Sequence, residues 1–362
     1  MNVALVHEML IKLGGAERVV KTWTDMFPDA PIFTLFNDPE KSKEWFEGKK
    51  IHTSILQKNY ETFKRPKYLL PKMPKAIEAL QLNQYDLVLS SSSAFAHGIK
   101  PGKHTKHICY VHSPMRYAWD YTHQTLKNYS WPMQWLVGRM LTQLRVWDFY
   151  ASDRADVLVA NSQHVQKRIH HYWKKPSELI YPPVNIKRFT PRKDHADYFL
   201  IVSTLSPFKR IDLAVELFNK IKRKLVIIGD GTHMDYLKTI AKPNIEFLGR
   251  QSDENIKEYM EYCRALIFPG EEDFGITPVE AMAAGKPVLA YAKGGVTESV
   301  QAGLSGEFFD HPNIESIENG LTRLLMNESS YQPQKIRQLV EHFDEAVFKE
   351  KIDQLVKKTL NN

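Results

Sequence analysis

Two carboxylates eight positions apart, Glu272 and Glu280, bracket the string Asp273-Phe274-Gly275-Ile276-Thr277-Pro278-Val279. Phe274, Gly275 and Ile276 form a flexible turn that opens a helix, and such a turn can aim backbone amides at phosphate oxygens. Glu280, one turn into that helix, can accept hydrogen bonds from a ribose diol. Glu272, ahead of the helix, can meet sugar hydroxyls. Coincidence explains this string poorly. A second group, Lys209-Arg210, follows Pro207-Phe208. Adjacent cations suit a diphosphate, the lysine as a point charge and the arginine as a bidentate fork. Standing alone, they would read as a solvated basic turn.

The first half carries two further groups. His112-Ser113-Pro114-Met115-Arg116-Tyr117, then Trp119-Asp120, follow an apolar run that ends at Val111. A polar and aromatic cluster at the carboxyl end of a strand is where an open α/β sheet holds its substrate. Arg116 and Tyr117 are the candidates there for contact with a substrate. A single histidine there would read as part of a packed loop; the whole cluster does not. Gly14-Gly15-Ala16-Glu17-Arg18 opens a helix, and its glycines would let amides approach an anion. A tight turn explains that pair of glycines equally well.

The elements that must position these groups alternate. Strands are predicted at 3–7, 32–36, 86–90, 107–111 and 156–160, and again at 199–203, 225–229, 245–248, 265–269 and 288–291. Helices are predicted at 16–26, 165–173, 211–221, 255–263 and 278–284. Short apolar runs alternating with helices make parallel sheets wound with helices. The paired Pro182-Pro183 can continue neither kind of element, which marks a linker. The expectation is two Rossmann-like domains, 1–182 and 183–344, facing each other across a cleft, with a C-terminal helix over about 345–362 packing back on the first.

Composition narrows the class. The chain has 362 residues and is 43% hydrophobic and 25% charged, which excludes a disordered or fibrous protein. Two cysteines exclude a disulfide scaffold and a multi-cysteine zinc module, and each is expected as a small buried hydrophobe. The opening residues are apolar only as far as Val6, which predicts no signal peptide. No apolar run is long enough to span a membrane. The expected location is the cytoplasm or the cytoplasmic face of a membrane. Residues 1–182 hold 25 basic and 16 acidic residues, the remainder 24 and 26. An anionic partner is therefore expected for the first half alone. Within it, Lys58, Lys64, Arg65, Lys67, Lys72 and Lys75 face only Glu61 and are interleaved with aromatic residues. An anionic membrane surface suits this run, and a solvated loop accounts for it about as well. No nucleic-acid module accompanies it.

With these strings assembled, the sequence resembles the retaining glycosyltransferases of family 4, which have the GT-B fold and use nucleotide-sugar donors. The resemblance covers nearly the whole chain and rests on Glu272 to Glu280 followed by Ala281-Met282-Ala283-Ala284-Gly285-Lys286-Pro287-Val288. The strings His112 to Asp120 and Pro269 to Gly275 are similar to those of bacterial enzymes that build polysaccharides, often GDP-mannose-dependent mannosyltransferases. The resemblance implies that Gly15 and Lys209 contact the diphosphate, His112 the transferred sugar, and Glu272 the sugar hydroxyls. It further implies that Phe274, Gly275 and Ile276 bind sugar and phosphate through amides and that Glu280 binds the ribose. Arg250 and Gln251, within Gly249-Arg250-Gln251-Ser252, match the loop that reads the nucleobase. One departure stands out: Thr204 occupies the place where the family commonly has arginine, and Arg210, Arg18 or Arg116 would have to compensate. No cofactor is implied. There is no Asp-x-Asp pair, so cations and helix N-termini would neutralise the leaving group without a metal. A sugar-nucleotide epimerase of the same architecture and a non-catalytic nucleotide-sugar-binding subunit are the competing readings.

Overall fold

The computed structural model describes residues 1–127 and 129–361, and in it the chain divides into two compact units. The first comprises Met1–Pro183 and the stretch from Phe348 onward, and the second Val184–Val347. The chain thus leaves the second unit three residues beyond the expected position 344.

The first unit holds a sheet of seven strands: β1 (Val3–Leu10), β2 (Ile32–Asn37), β3 (Ile51–Thr53), β4 (Leu87–Ser92), β5 (Lys106–Val111), β6 (Val157–Ala160) and β7 (Glu178–Leu179). Every pairing is parallel, in the order β3-β2-β1-β4-β5-β6-β7. The central strands are buried on both faces, as helices above and below require. One face packs on a cluster that includes Val6, Phe36, Met73, Val137 and Leu141. The other packs on Leu5, Val20, Trp23 and Tyr110, together with Phe348, Ile352 and Val356 of the helix Glu345–Asn361.

The second unit repeats this plan with β8 (Phe199–Val202), β9 (Leu225–Ile228), β10 (Ile245–Gly249), β11 (Ala265–Phe268), β12 (Val288–Tyr291) and β13 (Gly306–Phe309). The order β10-β9-β8-β11-β12-β13 is again wholly parallel. In each sheet the order reverses beside the unit's first strand, between β1 and β4 and between β8 and β11. Crevices for ligands open at such reversals, outside the carboxyl ends of the strands.

All ten predicted strands are present, nine with shifted ends and 288–291 unshifted, and three more, β3, β7 and β13, were not expected. The 21-residue helix Trp131–Ala151 was also not expected. Both cysteines are buried and free, and burial pushes each thiol up to about 12.

Candidate active site

In the second unit the loops after β8 and β11 meet where the strand order reverses. A Cβ on Gly270 would lie 2.9 Å from the Lys209 backbone, so glycine is what lets these loops touch. Across that contact the Lys209 ammonium forms an ion pair with Glu272. Both side chains keep some exposure, 16% for the lysine and 25% for the carboxylate. The loop after β12 supports Glu272 from behind, where the Gly295 amide donates to its carbonyl at 2.9 Å. Gly294 has φ of +81°, and a Cβ there would sit 2.2 Å from the same carbonyl oxygen. The geometry leaves no room for a side chain at that point.

Gly275, at φ +94°, caps the N-terminus of the helix Ile276–Ala283, while Phe274 is buried against Phe343 with ring centroids 5.3 Å apart. The turn is thereby fixed on one side by an aromatic anchor. Glu280 lies in the second turn and is 4% exposed. A buried carboxylate needs compensation, and Arg188 supplies charge from 3.7 Å, an ion pair too long for a hydrogen bond. The same guanidinium pairs with Asp253 at 3.3 Å and lies 4.5 Å from the Phe189 ring. Arg188 therefore ties the helix bearing Glu280 to the helix that follows the Arg250-Gln251 loop. Sequence reading missed it, although a cation just past the linker, in Ile186-Lys187-Arg188-Phe189, was the available signal.

The remaining positions in this unit have distinct surroundings. The Gln251 amide donates to the Leu248 carbonyl at 2.7 Å and its oxygen accepts from Asn255 at 2.9 Å, which fixes the loop before the helix Asp253–Tyr262. Arg250 is exposed beside it. Arg210 has left-handed backbone, φ +52°, and its Nε is 3.3 Å from both Asp212 oxygens. Thr204 is exposed, and its carbonyl accepts from the Ser206 amide at 3.0 Å.

In the first unit a line of polar side chains crosses the carboxyl ends of β1 and β4. His7 Nε2 is 3.3 Å from Glu17, His7 Nδ1 is 3.1 Å from the Ser91 hydroxyl, and that hydroxyl is 2.8 Å from His112 Nε2. The β1–β4 register sets His7 opposite Ser91. Burial opposes a charge on His7, but the hydrogen bond and charge of Glu17, with the charge of Glu8, raise its pKa. Glu17 is lowered against its own burial by His7. His112 moves the other way, down by burial first and then by the charge on His7. These directions are consistent with one proton order. In it a cationic His7 would donate to Glu17 and to Ser91, Ser91 would donate to His112 Nε2, and a neutral His112 would carry its proton on Nδ1.

Gly15 begins the helix Gly15–Met26 that delivers Glu17. Arg116 donates to the Tyr121 hydroxyl at 3.2 Å. Tyr117 packs its ring against the apolar cluster beneath the sheet. Glu8 accepts from the amides of Ser93, Ala94, Phe95 and Ala96 at 2.7–3.2 Å, which fixes the loop after β4.

Two family descriptions match this chain, Glycosyltransferase Family 4 over residues 13–188 and Glycosyl transferases group 1 over residues 184–357. Together they span both units. The chain belongs to the glycosyltransferases. It is 31% identical over 190 residues to a lipopolysaccharide 1,2-N-acetylglucosaminetransferase of Salmonella typhimurium, covering 47% of this chain and 48% of that protein. It is 23% identical over 389 residues to the alpha-1,3/1,6-mannosyltransferase ALG2 of Dictyostelium discoideum, covering 90% of each. The chain spans about half the length of the first curated relatives it matches. Among solved structures, Anabaena HepE in complex with UDP matches with a TM-score of 0.72 at 18% identity, over 99% of this chain and 100% of that one. At that identity the likeness speaks for the fold, and the fold is GT-B.

Proposed function

We propose that this glycosyltransferase moves mannose from GDP-mannose, with retention of the anomeric configuration, to a lipid-linked or glycan acceptor in cell-surface polysaccharide synthesis. The observation that carries the reading is the Lys209–Glu272 ion pair at the β8/β11 reversal, with Glu272 eight residues ahead of buried Glu280. In the assigned roles the second unit binds the donor and the first the acceptor. Lys209 meets the diphosphate, with Gly15 and Arg210 contributing further contacts to it. When the donor enters, a phosphate takes over the ammonium and frees the Glu272 carboxylate for the sugar hydroxyls. Phe274, Gly275 and Ile276 offer their amides to sugar and phosphate, since the first turn of a helix leaves its N–H groups unpaired. Glu280, held by Arg188, accepts from the ribose, and Arg250 and Gln251 border the base. His112 presents its Nδ1–H to the transferred sugar, and Arg116 and Tyr117 border the acceptor.

Charge develops on the departing diphosphate as the glycosidic bond breaks. Lys209, Arg210 and the helix N-terminus at Gly275 stabilise it, so neither a metal nor a cofactor is required. The diphosphate itself takes the acceptor proton. A mannose donor is favoured by the ALG2 relative, which aligns along nearly the whole chain. The HepE complex with UDP favours a uridine donor instead.

The test incubates the protein with GDP-mannose, UDP-glucose and UDP-N-acetylglucosamine, with and without a lipid-linked acceptor, and resolves products by NMR. The proposal expects GDP release and an α-mannosyl product, both formed undiminished in the presence of EDTA. An inverted anomer, a requirement for added metal, or turnover of uridine donors alone would overturn it. Epimerised donor formed without acceptor would establish the epimerase instead.

A further inference from the structure

The segment from Tyr129 to Gly138 reads Tyr-Ser-Trp-Pro-Met-Gln-Trp-Leu-Val-Gly and carries no charge. It forms the start of the helix Trp131–Ala151, whose buried stripe of Val137, Leu141, Leu144, Asp148 and Ala151 begins only at the seventh residue. None of the first six residues is buried, so roughly 9 Å of helix, at 1.5 Å per residue, extends past the core it packs on. Helix starts in water are ordinarily polar. Here Trp131 is 84% exposed and Trp135 71%, with Met133 and Leu136 exposed beside them. Indoles left in solvent at this density mark a surface that meets something else.

The basic run lies on the same side of the sheet. Leu69 and Met73, within it, and Val137 and Leu141 of the long helix belong to one apolar cluster. Farther along, Trp147 donates to Glu78, the last residue of the helix Met73–Glu78, at 2.7 Å. All six cations from Lys58 to Lys75 are exposed, as are Phe63 and Tyr68 between them. Exposed cations and solvent-facing tryptophans on elements that share one apolar cluster match one surface by chemistry, the headgroup layer of an anionic bilayer: indoles enter at the acyl boundary while lysines stay at the phosphates. No helix among the described residues is long and apolar enough to cross a membrane, so the contact would be a docking and not a span. The first unit carries 29 basic and 18 acidic residues, the second 20 and 24, and the attraction is therefore confined to one unit.

We propose that the uncharged start of the helix Trp131–Ala151 and the basic run Lys58–Lys75 form one docking face for anionic lipid, with Trp131 and Trp135 as its inserting residues. The proposal does not depend on the donor or on the reaction, because none of these residues is placed in the donor or sugar sites.

The full-length protein is mixed with vesicles of phosphatidylcholine alone or of phosphatidylcholine with phosphatidylglycerol, and binding is read by co-sedimentation and tryptophan emission. The wild type should bind the anionic vesicles with a blue shift, ignore the neutral ones, and detach as salt rises. Trp131→Ser with Trp135→Ser should abolish the blue shift and weaken partitioning by roughly tenfold or more, because two exposed indoles supply the inserted apolar area. Lys64→Glu with Lys67→Glu should remove the preference for anionic over neutral lipid by at least roughly tenfold, each cation near the surface being worth about a fivefold change. Circular dichroism melts matching the wild type guard against misfolding, since all four positions are exposed. Unchanged binding in both double variants would overturn the proposal. So would a concentration-dependent dimer that the tryptophan variant dissociates, or binding of an oligonucleotide with none of the vesicles.

Discussion

Glu272 and Glu280 share a residue type and differ in surroundings, and the difference separates their roles. Glu272 is partly exposed on a loop and already paired with a cation that a phosphate can displace. Glu280 is buried and braced by Arg188. Glu280→Ala should weaken donor affinity by the ~1.5–3 kcal/mol of a hydrogen bond to a charged group, read by calorimetry with the nucleotide. Glu272→Ala should lower turnover more than it lowers nucleotide affinity. Lys209→Ala should cost ~10²–10³ in turnover, as loss of a donor to developing charge does. Activity within a few fold of wild type in the lysine variant would place the diphosphate elsewhere. The buried histidine line gives a sharper expectation at this scale. Nitrogen-15 NMR should find His7 doubly protonated at neutral pH and His112 protonated on Nδ1 alone. Glu17→Gln should remove the charge on His7 and lower turnover more than it lowers nucleotide affinity, because the nucleotide contacts assigned above lie, Gly15 apart, in the second unit. A His112 protonated on Nε2 in the wild type would refute the proton order.

At the level of elements, what matters is how loops from adjacent strands are brought together, and glycine decides it. Gly294→Ala would set a methyl 2.2 Å from the Glu272 carbonyl at a left-handed φ, so the Glu272 loop must move. The expected result is a loss of turnover comparable to Glu272→Ala, together with a lower melting temperature that Glu272→Ala itself does not show. Such contacts also explain what sequence could and could not reveal. The strands were legible because fully apolar runs such as Phe199–Val202 and Leu225–Ile228 suit a sheet covered on both faces. β3 and β7 escaped because three and two residues at a sheet edge carry no such run. The long helix escaped because its exposed side is apolar too: Trp135, Leu136 and Val146 blur the 3.6-residue period that its buried stripe would show. The local strings around Glu272 and Lys209 could be read directly. Their pairing could not, since it depends on a strand order in which β8 lies beside β11. Nor could Arg188, whose importance lies in a carboxylate ninety-two positions away.

For the whole molecule, the polar groups buried under the first sheet set how stability responds to pH. Burial drives His97 down to about 3 and His107 down to about 4, and both stay neutral in the fold. The unfolded chain binds protons at these histidines near pH 6.5, so between there and pH 4 it holds more protons than the folded state. Stability from these two histidines is therefore present above pH 6.5 and lost on acidification. Asp148 acts in the opposite sense. It accepts from Trp119 at 2.8 Å and Trp173 at 2.6 Å, yet burial still pushes its pKa up to about 7. Between about pH 4 and 7 the folded state keeps a proton that the unfolded chain has released, which lowers stability as pH rises. His112, also driven down by burial, adds to these two, while the raised His7 sides with Asp148; three histidines outweigh that pair, so the wild type should melt lower at pH 5 than at pH 7.5. Asp148→Asn keeps an oxygen for both indoles and removes the opposing ionisation. Its melting temperature should match the wild type near pH 4, exceed it increasingly toward pH 7, and stay above it by a constant margin beyond. Differential scanning calorimetry across pH 4–8 reads this directly, and a variant whose advantage shrinks as pH rises would show that Asp148 is ionised in the fold.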